Sequence, residues 1–291
     1  MKRAKGYYHL AGILVVAIWG TTFISTKVLI GNGLAPQEIF FYRFLIAYVG
    51  IWFVSRGRLF ADSFKDEAML ALAGLFGGSL YFFTENTALG ITQASNVSFL
   101  LCGTPVITTL LSKMFYRDEK ISGRFAAGSL LALAGVAMVV FDGVTVLKVS
   151  PAGDLLTLAA SFSWGFYSIV IRKLENRYST AFITRKVFFY GLVTICPVFL
   201  FEPLDTGALF SSGLSVWLNL VFLAVIASLV CFVVWNAVIK EIGIVKATNY
   251  VYLSPLVTLV VSAAVLGERM GPVALAGAAC IMAGVYWAGR N

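Results

Sequence analysis

Between Leu80 and Leu111 an otherwise apolar stretch carries a carboxylate (Glu85), two amides (Asn86 and Asn96) and a proline (Pro105). Groups of this kind tolerate hydrocarbon only where protein or a water-filled cavity surrounds them. The chemistry open to them is recognition and gating. An acid can take a cation or a proton, amides can hydrogen-bond a solute, and a proline can kink a helix. Basic residues inside apolar runs include Arg43, Arg185 and Lys186. The last two lie near the end of their run, from which a long side chain can reach the interface. Arg43 lies about two turns in and is the better candidate for a site.

Trp19 and Trp164 fall near the centres of their runs, with Thr22 on the Trp19 helical face and Tyr167 near the Trp164 face. With Tyr250 and Tyr252 they would form an aromatic wall bearing hydroxyl donors, suited to a small amphipathic solute. Core packing beside Gly20 and Gly165 is the other reading of the two indoles. Asn236 and Asn249 join Asn86 and Asn96 as intramembrane amides. Each is either a substrate contact or an interhelical hydrogen bond, the latter adding about 1 kcal/mol. Pro105 and a second mid-run proline, Pro255, each remove a backbone donor and displace the carbonyl four residues earlier, at Leu101 and Val251. They read as kinks that shape a cavity and help helices rock.

Enzymatic chemistry finds no foothold. There is no HExxH, no GxSxG, no glycine-rich phosphate loop and no His/Cys cluster. Cys102, Cys196, Cys231 and Cys280 lie in apolar runs without a CxxC pair, and His9 is the lone histidine. They read as small buried packing residues. No catalytic residue, metal or cofactor is expected.

These side chains need helices in a bilayer to position them. Apolar residues are 59% of the 291 and charged residues only 12%, with a mean hydropathy of +0.89, which excludes a water-soluble domain of this size. The net charge of +8 is dispersed among short loops, which sets topology and argues against nucleic acid. Ten apolar runs of bilayer-spanning length are predicted, roughly 8–30, 37–55, 67–89, 93–115, 123–141, 151–173, 180–201, 214–239, 245–266 and 272–289. The first is read as a retained helix rather than a signal peptide. With both termini cytoplasmic, nearly all the loop Lys and Arg fall on the inner side, and only Lys148 and Arg269 on the outer.

The runs repeat. Trp19-Gly20 is matched by Trp164-Gly165, Asn86 by Asn236, Pro105 by Pro255, Glu119 by Glu268 and Gly135-Val136 by Gly284-Val285, the last four at spacings of 149 or 150 residues. Each half, 1–142 and 143–291, holds five helices. An odd number inverts the second half relative to the first, and a site is then expected near midplane between the halves. The expected fold is an all-α membrane protein of ten transmembrane helices in two inverted five-helix repeats.

Several stretches carry a family likeness: AIWGTTFISTK at 17–27, FYRFLIA at 41–47, TALGITQASNVSFLLCGTP at 87–105 and GDLLTLAASFSWGFYSIVIRKL at 153–174. KATNYVYLSPLVTLVVSAAVLGE at 246–268 and AGAACIMAGV at 276–285 complete the order. The chain resembles the EamA family of the drug/metabolite transporter superfamily over essentially its whole length. The resemblance implies a permease or exporter of small metabolites, amino acids among them, in the inner membrane. A nucleotide-sugar or phosphorylated-metabolite carrier is the alternative within transport, but it would need several cavity cations. An intramembrane enzyme or lipid-handling protein is the alternative from another class. Expected partners are a small-molecule substrate and the bilayer, with a coupling proton as a candidate, in a monomer or weak homo-oligomer.

Glu85 departs from many members of that family, which are uncharged there. The depths of Glu85 and Arg43 are comparable, so an ion pair between them is expected if their faces meet. The repeat-equivalent of Glu85 is Trp235, so only one half carries the acid.

Overall fold

In the computed structural model the described residues are 2–92, 94–116, 122–141, 150–257, 260 and 272–289, and among them all regular structure is helical. The first half supplies α1 (Lys2–Gly31), α2 (Pro36–Ile51), α3 (Phe64–Ile91), α4 (Asn96–Phe115) and α5 (Gly123–Phe141). The second supplies α6 (Pro151–Leu174), α7 (Thr180–Leu200), α8 (Leu214–Ile242), α9 (Ile244–Thr248) and α10 (Pro272–Gly289). Among the described residues six helices are long and apolar enough to cross a membrane: α1, α3, α4, α6, α7 and α8. Within α5 and α10 lie two shorter apolar helices, Gly123–Val139 and Leu275–Gly289. The second predicted run, 37–55, is a 16-residue helix ending at Ile51. The far part of the ninth run, the boundary at 142–143, Gln93, Glu119 and Glu268 lie outside the described residues.

Local chemistry starts the helices where the sequence permits. Ser63, Ser150 and Ser179 each precede a helix and accept from a backbone amide of its first turn, at Asp66, Gly153 and Phe182 respectively. Asp66 and Glu67 place negative charge at the start of α3, where the helix dipole favours it.

Two helices carry a feature that periodicity does not foresee. Wide π-helical turns occupy Leu75–Ser79 in α3 and Phe222–Val230 in α8, which are repeat-equivalent positions at an offset near 149. Such turns release backbone groups and re-aim the residues beyond them. The Phe76 carbonyl accepts from the Ser163 hydroxyl at 2.7 Å. The Gly77 backbone lies against the Tyr167 ring, where a Cβ would sit 2.2 Å from a ring carbon.

Both prolines interrupt their helices. The helix ending at Leu101 turns at Cys102-Gly103 and restarts at Thr104. Before Pro255 the chain tightens into a 3-10 turn, Asn249–Leu253.

Glycines fix the packing of α5 on α10. A Cβ on Gly128 would lie 2.5 Å from the Ala288 amide and 2.6 Å from the Gly284 carbonyl; one on Gly135 would lie 2.6 Å from the Gly277 carbonyl. The numbers rise on one helix as they fall on the other, so the two helices run antiparallel. The contact of Gly128 with Gly284 becomes that of Gly277 with Gly135 when 149 is added to one member and taken from the other.

The halves are clasped at both ends of the bundle. At the end rich in Lys and Arg, Glu67 of α3 pairs with Lys186 of α7 and accepts from the Tyr190 hydroxyl. Beside it, Asp66 accepts from Arg177 at 2.9 Å and from the Tyr178 hydroxyl at 2.8 Å. Arg185 donates to the carbonyls of Ser55 and Arg58 and lies over the Trp52 ring. The expectation that Arg185 and Lys186 reach out to the interface is therefore corrected. Both are buried, because carboxylate and carbonyl partners meet them inside. At the other end Glu38 accepts from the Asp205 amide and Gln37 donates to Glu202, both at 2.6 Å. Of the cysteines only Cys102 and Cys231 are buried; Cys196 is exposed on the outside of the bundle.

Two outcomes are expected of stability measurements on the detergent-solubilised protein. Gly284→Leu forces a side chain into backbone atoms of α5 and should destabilise by about 1–3 kcal/mol or more, read as a lower melting temperature. Glu67→Gln and Lys186→Met should each destabilise, with the double variant less impaired than their sum by about 1–3 kcal/mol.

Candidate functional site

The polar residues that line an internal cavity come from both halves of the chain. The cavity holds about 650 Å³ of space free of protein atoms, part of it continuous with the outside. Its aromatic wall is Trp19, Tyr81, Phe82, Trp164 and Phe232. Trp19 and Trp164 meet edge to face with ring centroids 5.3 Å apart, and Tyr81 lies 5.0 Å from Trp164. The Trp19 indole donates to the Ala227 carbonyl at 2.9 Å, an acceptor within the π turn of α8. Thr22, Ser98, Thr104 and Ser254 also line the cavity. The Thr22 hydroxyl bonds the Trp19 carbonyl of its own helix at 2.7 Å.

Two opposite charges face this space. Arg43 is 2% exposed; its Nε donates to the Ser228 hydroxyl at 2.5 Å, and Cζ lies 4.2 Å from the Phe82 ring centroid. Glu85 is 6% exposed and accepts from the Tyr81 hydroxyl at 3.0 Å. The expected ion pair between Glu85 and Arg43 is not formed. Each finds a neutral partner instead, Glu85 the hydroxyl of Tyr81 one turn earlier on its own helix α3 and Arg43 the hydroxyl of Ser228 on α8. Matching depth brings both to the lining of one cavity, without the close contact of an ion pair.

The remaining candidates separate into other surroundings. Tyr167 donates to Asn236 at 2.7 Å, and Asn236 donates to Thr184 at 3.0 Å, a fully buried network behind the cavity wall. Asn86 ties α3 to the start of α2 through the Pro36 carbonyl at 3.1 Å. Asn96 donates to Asp154 of α6 at 3.1 Å, and Asn249 donates to the Val285 carbonyl of α10 at 3.0 Å. Tyr250 shares a 2.5 Å hydrogen bond with His9. Tyr252 packs among Cys102, Val136 and Ile281. The wall imagined from Trp19, Trp164, Tyr250 and Tyr252 is thus corrected: the two tyrosines lie elsewhere, and Tyr81, Phe82 and Phe232 take their place. The four-residue spacing of Tyr81 and Glu85 could have shown their contact; Ser228, inside the π turn of α8, and Phe232, just beyond it, could not be placed by helical spacing. Among the described residues no group of three or more His, Cys, Asp or Glu is placed to hold a metal ion.

Comparison with known proteins bears on all of this. The model of the EamA-like transporter family matches twice, at residues 6–141 and 151–290. The chain is 27% identical over 293 residues to a protein of Escherichia coli (strain K12) named a probable amino-acid metabolite efflux pump, covering 98% of this chain and 95% of the relative. It is 28% identical over 294 residues to a probable terminal-alkyne amino-acid exporter of Streptantibioticus cattleyicolor, covering 100% and 95%. A protein crystal structure at 19% identity superposes with a TM-score of 0.75 over 97% of this chain and 96% of that one, a likeness of fold.

Trp164 is both wall and core, since it also touches Tyr167 and Phe232. Trp164→Ala should therefore cost about 3–5 kcal/mol of stability, seen as a fall in melting temperature. Thr22→Val, which keeps the volume and loses a hydrogen bond within one helix, should cost no more than about 1 kcal/mol.

Proposed function

The chain belongs to the EamA-like transporter family, a multi-pass membrane protein and not an enzyme, and from that membership we propose a secondary transporter that exports a small amphipathic metabolite by alternating access. An amino acid is the substrate class, on the names the relatives carry and on the lining of the cavity. The single observation that carries this reading is that one aromatic, charge-bearing cavity is walled by helices of both halves. A site between two halves can be opened to either face by rocking one against the other.

The two halves are taken as 1–142 and 143–291, each of five spans with α2 and α9 included, inverted with respect to one another. Three features support the inversion. The glycine contacts of α5 and α10 exchange under the repeat offset, as they do across a two-fold axis. The π turns fall at equivalent positions. The start of α7 clasps the α2–α3 connection at one end, while the start of α2 clasps the α7–α8 connection at the other. Those clasps are candidate gates, with the breaks before Pro105 and Pro255 as points of bending. The basic end faces the cytoplasm of an inner-membrane protein, by the positive-inside rule. A carrier of phosphorylated metabolites is disfavoured because, among the described residues lining the cavity, Arg43 is the one Lys or Arg.

Two experiments test these statements. Purified protein in liposomes preloaded with an unlabelled amino acid should accumulate the labelled one by counterflow; no counterflow across a broad metabolite panel would sink the transport reading. Single cysteines at 32–35 and 203–212 should react with an impermeant reagent from outside the cell, and those at 56–62 and 175–179 only from inside. Reactivity of 32–35 and 203–212 from opposite faces would contradict inversion.

A further inference from the structure

We propose that the cavity is built for a zwitterion, with Arg43 receiving the carboxylate of the substrate and Glu85, held by Tyr81, receiving its ammonium. This deepens the reading of the cavity as a metabolite site and rests on it.

Burial comes first. Two oppositely charged side chains, 2% and 6% exposed, face one cavity and do not pair. A charge in a medium of low dielectric carries a penalty of several kcal/mol unless an opposite charge and hydrogen bonds offset it. A pair kept only for the fold would close on itself, as Glu67 and Lys186 do. Arg43 and Glu85 each make one side-chain hydrogen bond to a neutral hydroxyl and leave their remaining polar atoms unbonded. Those atoms are not among the sealed, unsatisfied polar atoms of the interior, so they open onto the cavity.

Chemistry then selects the ligand. With Nε held by Ser228, both terminal nitrogens of the Arg43 guanidinium can form the two-pronged contact with a carboxylate. With Oε1 held by Tyr81, the second oxygen of Glu85 is open to an ammonium. An anion would leave Glu85 without an ionic contact, a cation would leave Arg43 without one, and a neutral solute would leave both to attract one another only at a distance. A molecule bearing both groups satisfies both poles and keeps the occupied cavity neutral. Phe82 beneath Arg43 and Trp164 beside Tyr81 offer apolar contact to the carbon between them. The fold does not demand the acid, since its repeat-equivalent is Trp235, packed 5.0 Å from Trp19.

The test uses binding to the purified full chain, by calorimetry or thermal shift. The tightest binder among the twenty L-amino acids is compared with its methyl ester, which lacks the carboxylate, and its N-acetyl derivative, which lacks the ammonium. Each derivative is expected to bind at least ten-fold more weakly than the parent. Arg43→Gln should abolish the preference for parent over ester and leave the preference over the N-acetyl form; Glu85→Gln should do the reverse. A purely structural role for either residue would weaken all three ligands alike. The derivatives probe the poles on the unaltered protein, so a variant that fails to fold does not remove the test. Equal binding of parent and derivatives would overturn the two poles and leave the transporter reading standing. Failure of every amino acid, with counterflow of a non-zwitterionic metabolite, would overturn the proposal together with the amino-acid substrate class and leave the transport reading standing. Failure of both binding and counterflow would overturn the transport reading with it.

Discussion

Charge inside a low-dielectric bundle must be answered, and this protein answers it in two ways. At the basic end, Glu67 with Lys186 and Asp66 with Arg177 answer charge with charge, drawing together α3, α7 and the segment after α6. In the cavity the same residue types stand apart, each supported by a hydroxyl and open on its other side. The first arrangement holds the halves together. The second leaves an electrostatic demand for something that enters from outside. Much of the remaining structure can be understood as keeping these two arrangements in place.

The backbone does part of that positioning. The π turn of α8 supplies the Ala227 carbonyl to Trp19 and the Ser228 hydroxyl to Arg43, so one irregular turn orients both an indole and a guanidinium. The π turn of α3 precedes Tyr81 and Glu85 and sets the face on which they emerge. Irregular backbone at this depth is tolerated because protein or cavity surrounds it. The glycine contacts of α5 with α10 show the opposite device, a close and regular crossing away from the cavity.

The sequence made the helices, the duplication and the shared depth of Arg43 and Glu85 legible, because span length and rise per residue depend on one chain segment at a time. It did not make the facing legible. A π turn rotates everything beyond it relative to a 3.6-residue period, so Ser228 and Phe232 could not be assigned to the cavity and the Glu85–Arg43 pair was expected in error. The amides teach a related lesson. Asn86, Asn96, Asn236 and Asn249 each announce a need for a partner, but not whether that partner is protein or solute; all four find protein. Trp19 and Trp164 were legible as a pair because the repeat marks them, and they serve as core and wall together.

The central claim is that a single cavity between the halves is reached from each face in turn and is filled by the substrate. Alkylation of a cysteine placed at Ser98, on the cavity lining, tests it most directly, with an impermeant maleimide applied to one face of the membrane at a time, native Cys102 of the same lining replaced by alanine, and Cys196 and Cys280 replaced by serine. The expected result is labelling from either face, slowed from both by the same amino acid. Labelling from one face alone, or labelling that no amino acid slows, would contradict the claim.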